Sequence, residues 1–522
     1  MNGATHAEVP SHQGDSDSTE EKTKGHGTPA HFDRIPAEGV SRDALLAHLK
    51  SLRAGDADWR NAKTWSLVYH ASDEHKALLD EAHKLFAAEN ALNPMAFKSL
   101  KHMEADVVRM VAALFHGDAN TVGTMTSGGT ESLLLSVKTY RDRARKLWPW
   151  IRSPEMVLPE TAHAAFDKAA HYFGVKAKYA RVDEDGRVDL THYRRLIGPN
   201  TVMLVASAPQ YPHGIVDPIE SISAIAVEKK LPLHVDACVG GFVLPWIEKL
   251  GSSLPAWDFR SSGVTSISAD LHKYGYAAKG ASIILYRSME DLQHQFFIST
   301  NWSGGIYLSP SMPGTRPGGT IAAAWAALQG MGESGYLSHT ARALDATARL
   351  KAGIANIHGL KVIGDPQATL LAWTSTEKDL DTYAIADVLE ERGWHVDRQQ
   401  RPASVHCTVT SNHVGVVDQY LADLAEAVLL VSADPSRKSQ GNAAMYGMMA
   451  KVPVRGLVKS AVLDVMKGLY GPTGEMADPT KNKDGLVNKL VAKYGDRMFD
   501  VYEKVEGRLA PLRRVFSRGS VR

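Results

Sequence analysis

Apolar residues along the chain follow two rhythms. In the first part they recur at helical spacing. Leu45, Leu46, Leu49 and Leu52 share one face of a helix predicted over 41–52. A second helix is predicted over 75–89, and Val107, Val108, Met110 and Val111 carry a third over 104–115. From about residue 120 to 290 the pattern changes to short β-rich runs, at 156–158, 178–182, 202–205, 233–235, 264–267 and 281–285, separated by helical stretches. Strand–helix alternation of this kind predicts a mostly parallel sheet with helices on both faces. A Thr-Arg-Pro-Gly-Gly-Thr loop at 315–320 precedes a helix of small residues over 322–328. Weaker signals at 361–363, 369–372, 385–391, 406–410 and 416–431 predict a separate, smaller α+β domain. The expected order is an arm over 1–30, a helical segment over 31–118, a large α/β domain over 119–340, a small α+β domain over 341–475, and a charged tail over 476–522 with a helix over 485–494.

Composition narrows the class. Residues 1–28 hold almost nothing large and apolar, so they cannot offset the entropy of ordering and are expected to be disordered. With 59 Lys+Arg against 58 Asp+Glu, the net charge of +1 gives no drive toward nucleic acid or an anionic membrane. The two cysteines, Cys238 and Cys407, stand outside any CxxC pair, which excludes a disulfide framework and a cysteine-rich zinc module. No metal site is expected. The best uncharged stretch, 321–332, is too short to span a bilayer. The start lacks the cationic and apolar regions of a signal peptide. The expected location is cytoplasmic, with export to a host cell by a route that reads other signals left open.

Four segments carry candidate chemistry. Thr126-Ser127-Gly128-Gly129-Thr130-Glu131-Ser132 is a Gly-rich turn opening a helix, where backbone N–H groups, the helix dipole and hydroxyls converge on an anion. Its plainer reading is a helix capped by Ser127 or Thr130. Leu233-His234-Val235-Asp236-Ala237-Cys238 sets an Asp at the carboxyl end of a buried strand, where open α/β sheets bind ligands. That Asp needs a cationic partner, such as a pyridinium nitrogen, or else caps the turn at 239–241. Lys273 follows a strand between His272 and Tyr274 and is a Schiff-base candidate, provided burial and nearby cations strip its proton; a surface loop lysine is the alternative. His163 has small neighbours and follows a short strand, so its imidazole suits stacking on a flat ring, although a lone histidine is more often structural. In combination these groups match a ring bearing a phosphate, a pyridine nitrogen and an aldehyde. That ring is pyridoxal 5′-phosphate, with Lys273 on the aldehyde and Asp236 on the nitrogen.

With those residues in place the chain resembles the sphingosine-1-phosphate lyases, within the fold-type I pyridoxal-phosphate enzymes related to group II decarboxylases. The likeness runs from about residue 60 to 470. It rests on 126–132, 163–170, Pro209-Gln210-Tyr211-Pro212-His213-Gly214, 233–242, the run GVTSISADLHKYGYAAKG at 263–280, Gly304-Gly305-Ile306-Tyr307 and Arg316-Pro317-Gly318-Gly319. The resemblance implies a homodimer with active sites at the subunit interface. It implies retro-aldol cleavage of a phosphorylated long-chain base to a fatty aldehyde and phosphoethanolamine, with an amino-acid decarboxylase on the same scaffold as the rival reading. Carried over by position, Lys273, Asp236 and His163 would be catalytic. Ser127, Gly128, Gly129, Thr130, Ala237, Ser268 and His272 would hold the cofactor, with Gly318 and Gly319 arriving from the partner subunit. Tyr69, Lys279 and Tyr211 would surround the substrate phosphate. The resemblance leaves the base open among Lys273, His163 and a substrate phosphate oxygen. The sequence departs from the family near the entrance. Where the family tends to have Ser-Gly-x-x-Tyr, this chain has Trp65-Ser66-Leu67-Val68-Tyr69, and Asn93 replaces a histidine.

Overall fold

The structure, a computed structural model, describes residues 35–443, 446–447 and 455–472. The expected arm at 1–30 and the tail at 476–522, with its helix, lie outside the described residues. Residues up to Ala57 form a unit of their own. It contains the helix Arg42–Leu52, capped by the Ser41 hydroxyl on the Ala44 N–H at 3.4 Å. The leucine stripe is there, but Leu45, Leu46, Leu49 and Leu52 are all exposed and no residue of the helix is buried.

From Asp58 onward two sheets organise the chain. The large sheet has seven strands: β1 (Val122–Thr126), β2 (Glu155–Pro159), β3 (Lys176–Ala180), β4 (Thr201–Ser207), β5 (Leu233–Asp236), β6 (Val264–Ala269) and β7 (Ser282–Tyr286). They lie in the order β1-β7-β6-β5-β4-β2-β3, and only β7 runs antiparallel to its neighbours. Both faces are covered, as the alternation predicts. Val157, Leu204, Ile267 and Leu285 pack with the helices Lys98–Leu114 and Ile219–Lys229 on one side. Met156, Leu158, Met203 and Val205 pack with Leu133–Leu135 and Phe166 on the other. Such central strands are apolar on both faces because neither face meets water.

A two-stranded hairpin follows, β8 (Phe297–Trp302) and β9 (Gly305–Ser309), which the sequence reading did not anticipate. Phe297, Ile298, Trp302, Ile306 and Leu308 on it are exposed. Next comes the helix Gly318–Ala355, far longer than the predicted 322–328. Within it Gly332 takes φ 58° and absorbs a kink, after which the helix resumes. Its first half lies in the large core through Ile321–Ala324, and its second half lies in the small core through Ala346, Leu350 and Ile354.

The small sheet comprises β10 (Leu360–Val362), β11 (Leu370–Ser375), β12 (Asp397–Gln399) and β13 (Ser404–Thr408), ordered β10-β11-β13-β12 and antiparallel throughout. Its core is aromatic: Trp65, Trp373, Trp394 and Tyr420 are almost wholly enclosed. Trp65 belongs to a segment the sequence reading placed in the N-terminal helical part. Here it runs along the small sheet, with Trp65 O accepting the Thr408 N–H at 2.6 Å and His395 N donating to Lys63 O at 2.8 Å. That anchoring delivers Tyr69, four residues on, to the junction between the two sheets. Among the described residues no helix is long and apolar enough to cross a membrane, and no group of acidic, His or Cys residues is disposed to hold a metal.

Candidate active site

The carboxyl ends of β1, β2, β5 and β6 share one edge of the large sheet, the edge at which open α/β folds bind ligands. Each delivers one part of the predicted constellation. After β1, Ser127 gives its backbone N–H and its hydroxyl to Glu131 Oε2 at 2.7 and 2.6 Å. Glu131 Oε1 accepts the Met312 N–H at 2.8 Å, so this carboxylate ties the turn to the loop after β9. Ser127 thus spends its hydroxyl on Glu131. The helix Gly129–Leu147 begins at Gly128 with no side-chain cap, contrary to the plainer reading of this motif. Thr130 is exposed. The first-turn N–H groups beside Gly128, Gly129 and Thr130 therefore stay available to an anion.

Gly129 is required by close packing. A Cβ there would lie 2.8 Å from both Asp270 carboxylate oxygens and 2.9 Å from Cys238 Sγ. A Cβ on Gly128 would face the His272 ring at 3.6 Å. The cradle, Asp270, His272 and Cys238 are thereby brought to one place.

Asp236 ends β5 and is nearly buried. Its Oδ1 accepts the Cys238 N–H at 3.0 Å, the turn contact foreseen as the alternative. Its second oxygen holds no hydrogen bond within the described chain and is left for a ring nitrogen. Ala237 follows it, wholly buried. Ser268 is wholly buried too, and its hydroxyl meets His234 Nε2 at 3.2 Å and Cys238 Sγ at 3.3 Å. Its hydroxyl is thus already engaged within the chain.

Lys273 differs from expectation in its electrostatics. The predicted neighbours were cations, but its Nζ lies 2.9 Å from Asp270 Oδ2. Burial works against the ammonium, yet the Asp270 carboxylate, with Tyr69 and Cys238, outweighs it and holds the lysine pKa above its ordinary value. Asp270 Oδ1 is buried with no partner. His272 Nε2 stands 3.7 Å from Asp270, its Nδ1 accepts the Ala281 N–H at 3.3 Å, and burial lowers its pKa. Asp270 is the main residue that sequence reasoning missed, although it lies inside the run that singled out Lys273.

His163 follows β2 and is exposed, with Nδ1 accepting the Ala165 N–H at 3.1 Å at the start of the helix Ala165–Phe173. One ring nitrogen is therefore fixed as an acceptor, and the ring face is left open. No contact links it directly to Lys273 or Asp236. Tyr69 stands edge-on to Tyr274, with ring centroids 5.0 Å apart, and Lys279 Nζ lies 5.1 Å over the Tyr69 ring. Burial pushes the Tyr69 hydroxyl up to about 12, against the pull of Lys273. Lys279 exposes its stem, but its ammonium turns in to donate to Leu67 O at 2.7 Å and His272 O at 3.3 Å. Partial burial of that ammonium, with the charge of Lys273, brings it down to about 8. Leu67 holds φ 68° to present this carbonyl.

Tyr211 lies within electrostatic reach of Tyr69 and Lys273. Its hydroxyl donates to Asp397 Oδ2 on β12 at 3.0 Å. Gly318 and Gly319 pack within this chain, against the end of the helix Asp73–Leu85. A Cβ on either would lie 2.7 Å from the Glu89 or His83 carbonyl. The preceding Arg316 pairs with buried Glu104, at 3.1 Å through Nη2.

The residues present fit pyridoxal 5′-phosphate. A half-buried amine answers its aldehyde, a carboxylate with a spare oxygen answers its ring nitrogen, and a helix N-terminus packed too closely for a Cβ at Gly129 answers its phosphate. Beside the amine, the buried Asp270 Oδ1 has no partner among the described residues.

Comparison with known proteins agrees. Residues 47–375 match the pyridoxal-dependent decarboxylase conserved domain. The chain is 44% identical over 445 residues to the sphingosine-1-phosphate lyase of Arabidopsis thaliana, covering 84% of this chain and 81% of that one. It is 42% identical over 439 residues to sphingosine-1-phosphate lyase 1 of Rattus norvegicus, covering 84% and 77%. Among solved structures, the sphingosine-1-phosphate lyase of Burkholderia pseudomallei superposes with a TM-score of 0.76 at 38% identity, covering 84% of this chain and 97% of that one.

Proposed function

This chain belongs to the sphingosine-1-phosphate lyases within the pyridoxal-dependent decarboxylase family, and on that premise we propose how its own residues carry out the cleavage of a phosphorylated sphingoid base to a long-chain aldehyde and phosphoethanolamine. The cofactor, when bound, supplies a ring that accepts the electron pair released as the bond between C2 and C3 breaks. Lys273 would hold the cofactor at its aldehyde. Asp236 would keep a proton on the ring nitrogen. His163 would lie against the ring. The N–H groups at Gly128–Thr130, with His272 beside them, hold the cofactor phosphate.

The observation that carries the lyase reading is the state of Lys279. It pairs with no carboxylate among the described residues, satisfies its ammonium only on two carbonyls, and sits against Tyr69 beside Lys273. A cation kept free of anions at the mouth suits a phosphate, which this substrate has and an amino acid does not. Fixing that phosphate sets which bond at C2 stands across the ring plane, the positioning role of remote binding.

The protein works as a homodimer in the cytoplasm. The exposed apolar hairpin β8–β9 supports an apolar partner surface, since its root at Met312 is tied to the cofactor cradle through Glu131. Purified protein reconstituted with cofactor should release long-chain aldehyde from sphingosine 1-phosphate. Release of carbon dioxide from glutamate or an aromatic amino acid, with no aldehyde, would refute the assignment in favour of a decarboxylase.

A further inference from the structure

The small sheet meets the active-site loop at Tyr211. There the Tyr211 hydroxyl donates to Asp397 Oδ2 at 3.0 Å, and the Tyr211 ring stacks on His406, with centroids 4.2 Å apart and planes at 29°. Asp397 and His406 are directly paired across β12 and β13. The state of the histidine follows from its partners. His406 Nδ1 faces the Pro212 carbonyl at 3.4 Å, which only accepts, so that nitrogen carries the proton. Nε2 then accepts from the Thr408 hydroxyl at 2.7 Å. Burial lowers the ring to about 4, so it stacks on Tyr211 uncharged.

Asp397 makes no ion pair among the described residues. The neighbouring Arg398 turns away to Asp387 and Glu390. Tyr211 is thus the group that answers the Asp397 carboxylate. Burial raises the phenol pKa, and the Asp397 charge raises it further, so Tyr211 keeps its proton and spends it on Asp397. A phenol has one proton to give. Tyr211 therefore presents lone pairs to the rest of its surroundings, where the charge of Lys273 reaches it. Lone pairs beside a carboxylate repel a phosphate, and they accept from a hydroxyl.

We propose that Asp397, acting through Tyr211, is a positioning residue that makes Tyr211 the acceptor for the hydroxyl on the substrate carbon next to the amine-bearing one. This rests on the lyase reading above and moves Tyr211 from the substrate phosphate to the substrate hydroxyl. The pair then selects amino phosphates that carry this hydroxyl over analogues that lack it. A site built around such an acceptor loses about tenfold or more when the bond cannot form.

The test uses the holoenzyme and two probes: sphinganine 1-phosphate as substrate, and its 3-deoxy analogue as a competitive inhibitor. Tyr211→Phe and Asp397→Ala should each lower kcat/KM for the substrate about tenfold or more. Each should leave the inhibition constant of the deoxy analogue within about twofold, because that ligand never used the bond. The double variant should be no worse than either single one. Asp397→Asn, which keeps a carbonyl acceptor for the phenol, should recover most of the loss. The cofactor absorbance of each variant reports whether the Lys273 site is intact. Equal weakening of the deoxy analogue would overturn the proposal and return Tyr211 to the phosphate. Additive losses in the double variant, or no recovery in Asp397→Asn, would also overturn it. Absence of aldehyde from the wild-type enzyme would overturn the lyase reading together with this one, and is recognised because the wild type itself fails.

Discussion

Replacing Lys279 by arginine separates the charge of the proposed phosphate clamp from its titration. The lysine is lowered to about 8 in the free enzyme, so it is charged below that pH and neutral above it. A phosphate monoester loses its second proton near pH ~6. Capture of a dianion by a cation is therefore strongest between about pH 6 and about 8. With the midpoint at about 8, roughly three-quarters of Lys279 is protonated at pH 7.5 and only about 3% at pH 9.5, a ratio of about 25. Tyr69, at about 12, and His272 and His406, both lowered by burial, do not titrate in this window. The assay is kcat/KM for sphinganine 1-phosphate from pH 7 to 9.5, since that parameter reports free-enzyme ionisations. The wild type should fall about 25-fold between pH 7.5 and 9.5, and Lys279→Arg should stay flat there, whatever its absolute level. A flat wild-type profile, or the same fall in Lys279→Arg, would refute the clamp.

Two further changes probe the scaffold. Asp217 is buried beneath Asp236, its Oδ2 accepts the Ser207 N–H at 2.7 Å, and burial raises it from 3.8 to about 7. The unfolded chain releases this proton near pH 4 and the folded chain only near 7, so the contribution is fully present at low pH and is lost as pH rises through that window. At about 1.4 kcal/mol per pH unit this amounts to about 4 kcal/mol. Asp217→Asn keeps the acceptor and removes the proton, so denaturant midpoints at pH 5 and pH 8 should converge relative to wild type; parallel curves would contradict the assignment. Gly129→Ala drives a methyl into the Asp270 carboxylate and Cys238. It should cost about 1–3 kcal/mol of stability and weaken cofactor retention, measured by melting and by absorbance after dialysis, and unchanged retention would show that the cradle tolerates the shift.

The layered α/β core was legible because its strands are continuous apolar runs, and the strand-end residues Asp236 and Lys273 followed from them. β1 was not, because Gly123 interrupts it. A Cβ there would lie 2.3 Å from the Ile284 carbonyl, so the glycine serves the close approach of β7 while depriving the strand of a β-like signature. β12 was hidden because Asp-Arg-Gln shows no apolar alternation. Asp270 and Asp397 were missed for different reasons. Asp270 was masked by the lysine it partners, and Asp397 meets Tyr211 only through the packing of the small sheet on the 209–214 loop. Contacts of that kind leave no periodic trace in either segment.

The ion pair between Asp270 and Lys273 bears on how the molecule is assembled. A lysine enclosed at a sheet edge with no anion beside it would oppose closure of that edge, since an uncompensated buried charge costs about 3–5 kcal/mol. Asp270 supplies the anion from three residues away, so the edge closes by itself. A chain without the ring can thus pair this lysine with its own residues. The same pairing makes the amine slow to react, because only an uncharged amine attacks an aldehyde. Reconstitution of such chains should therefore quicken as the medium becomes more alkaline, at pH values where capture of substrate is already declining.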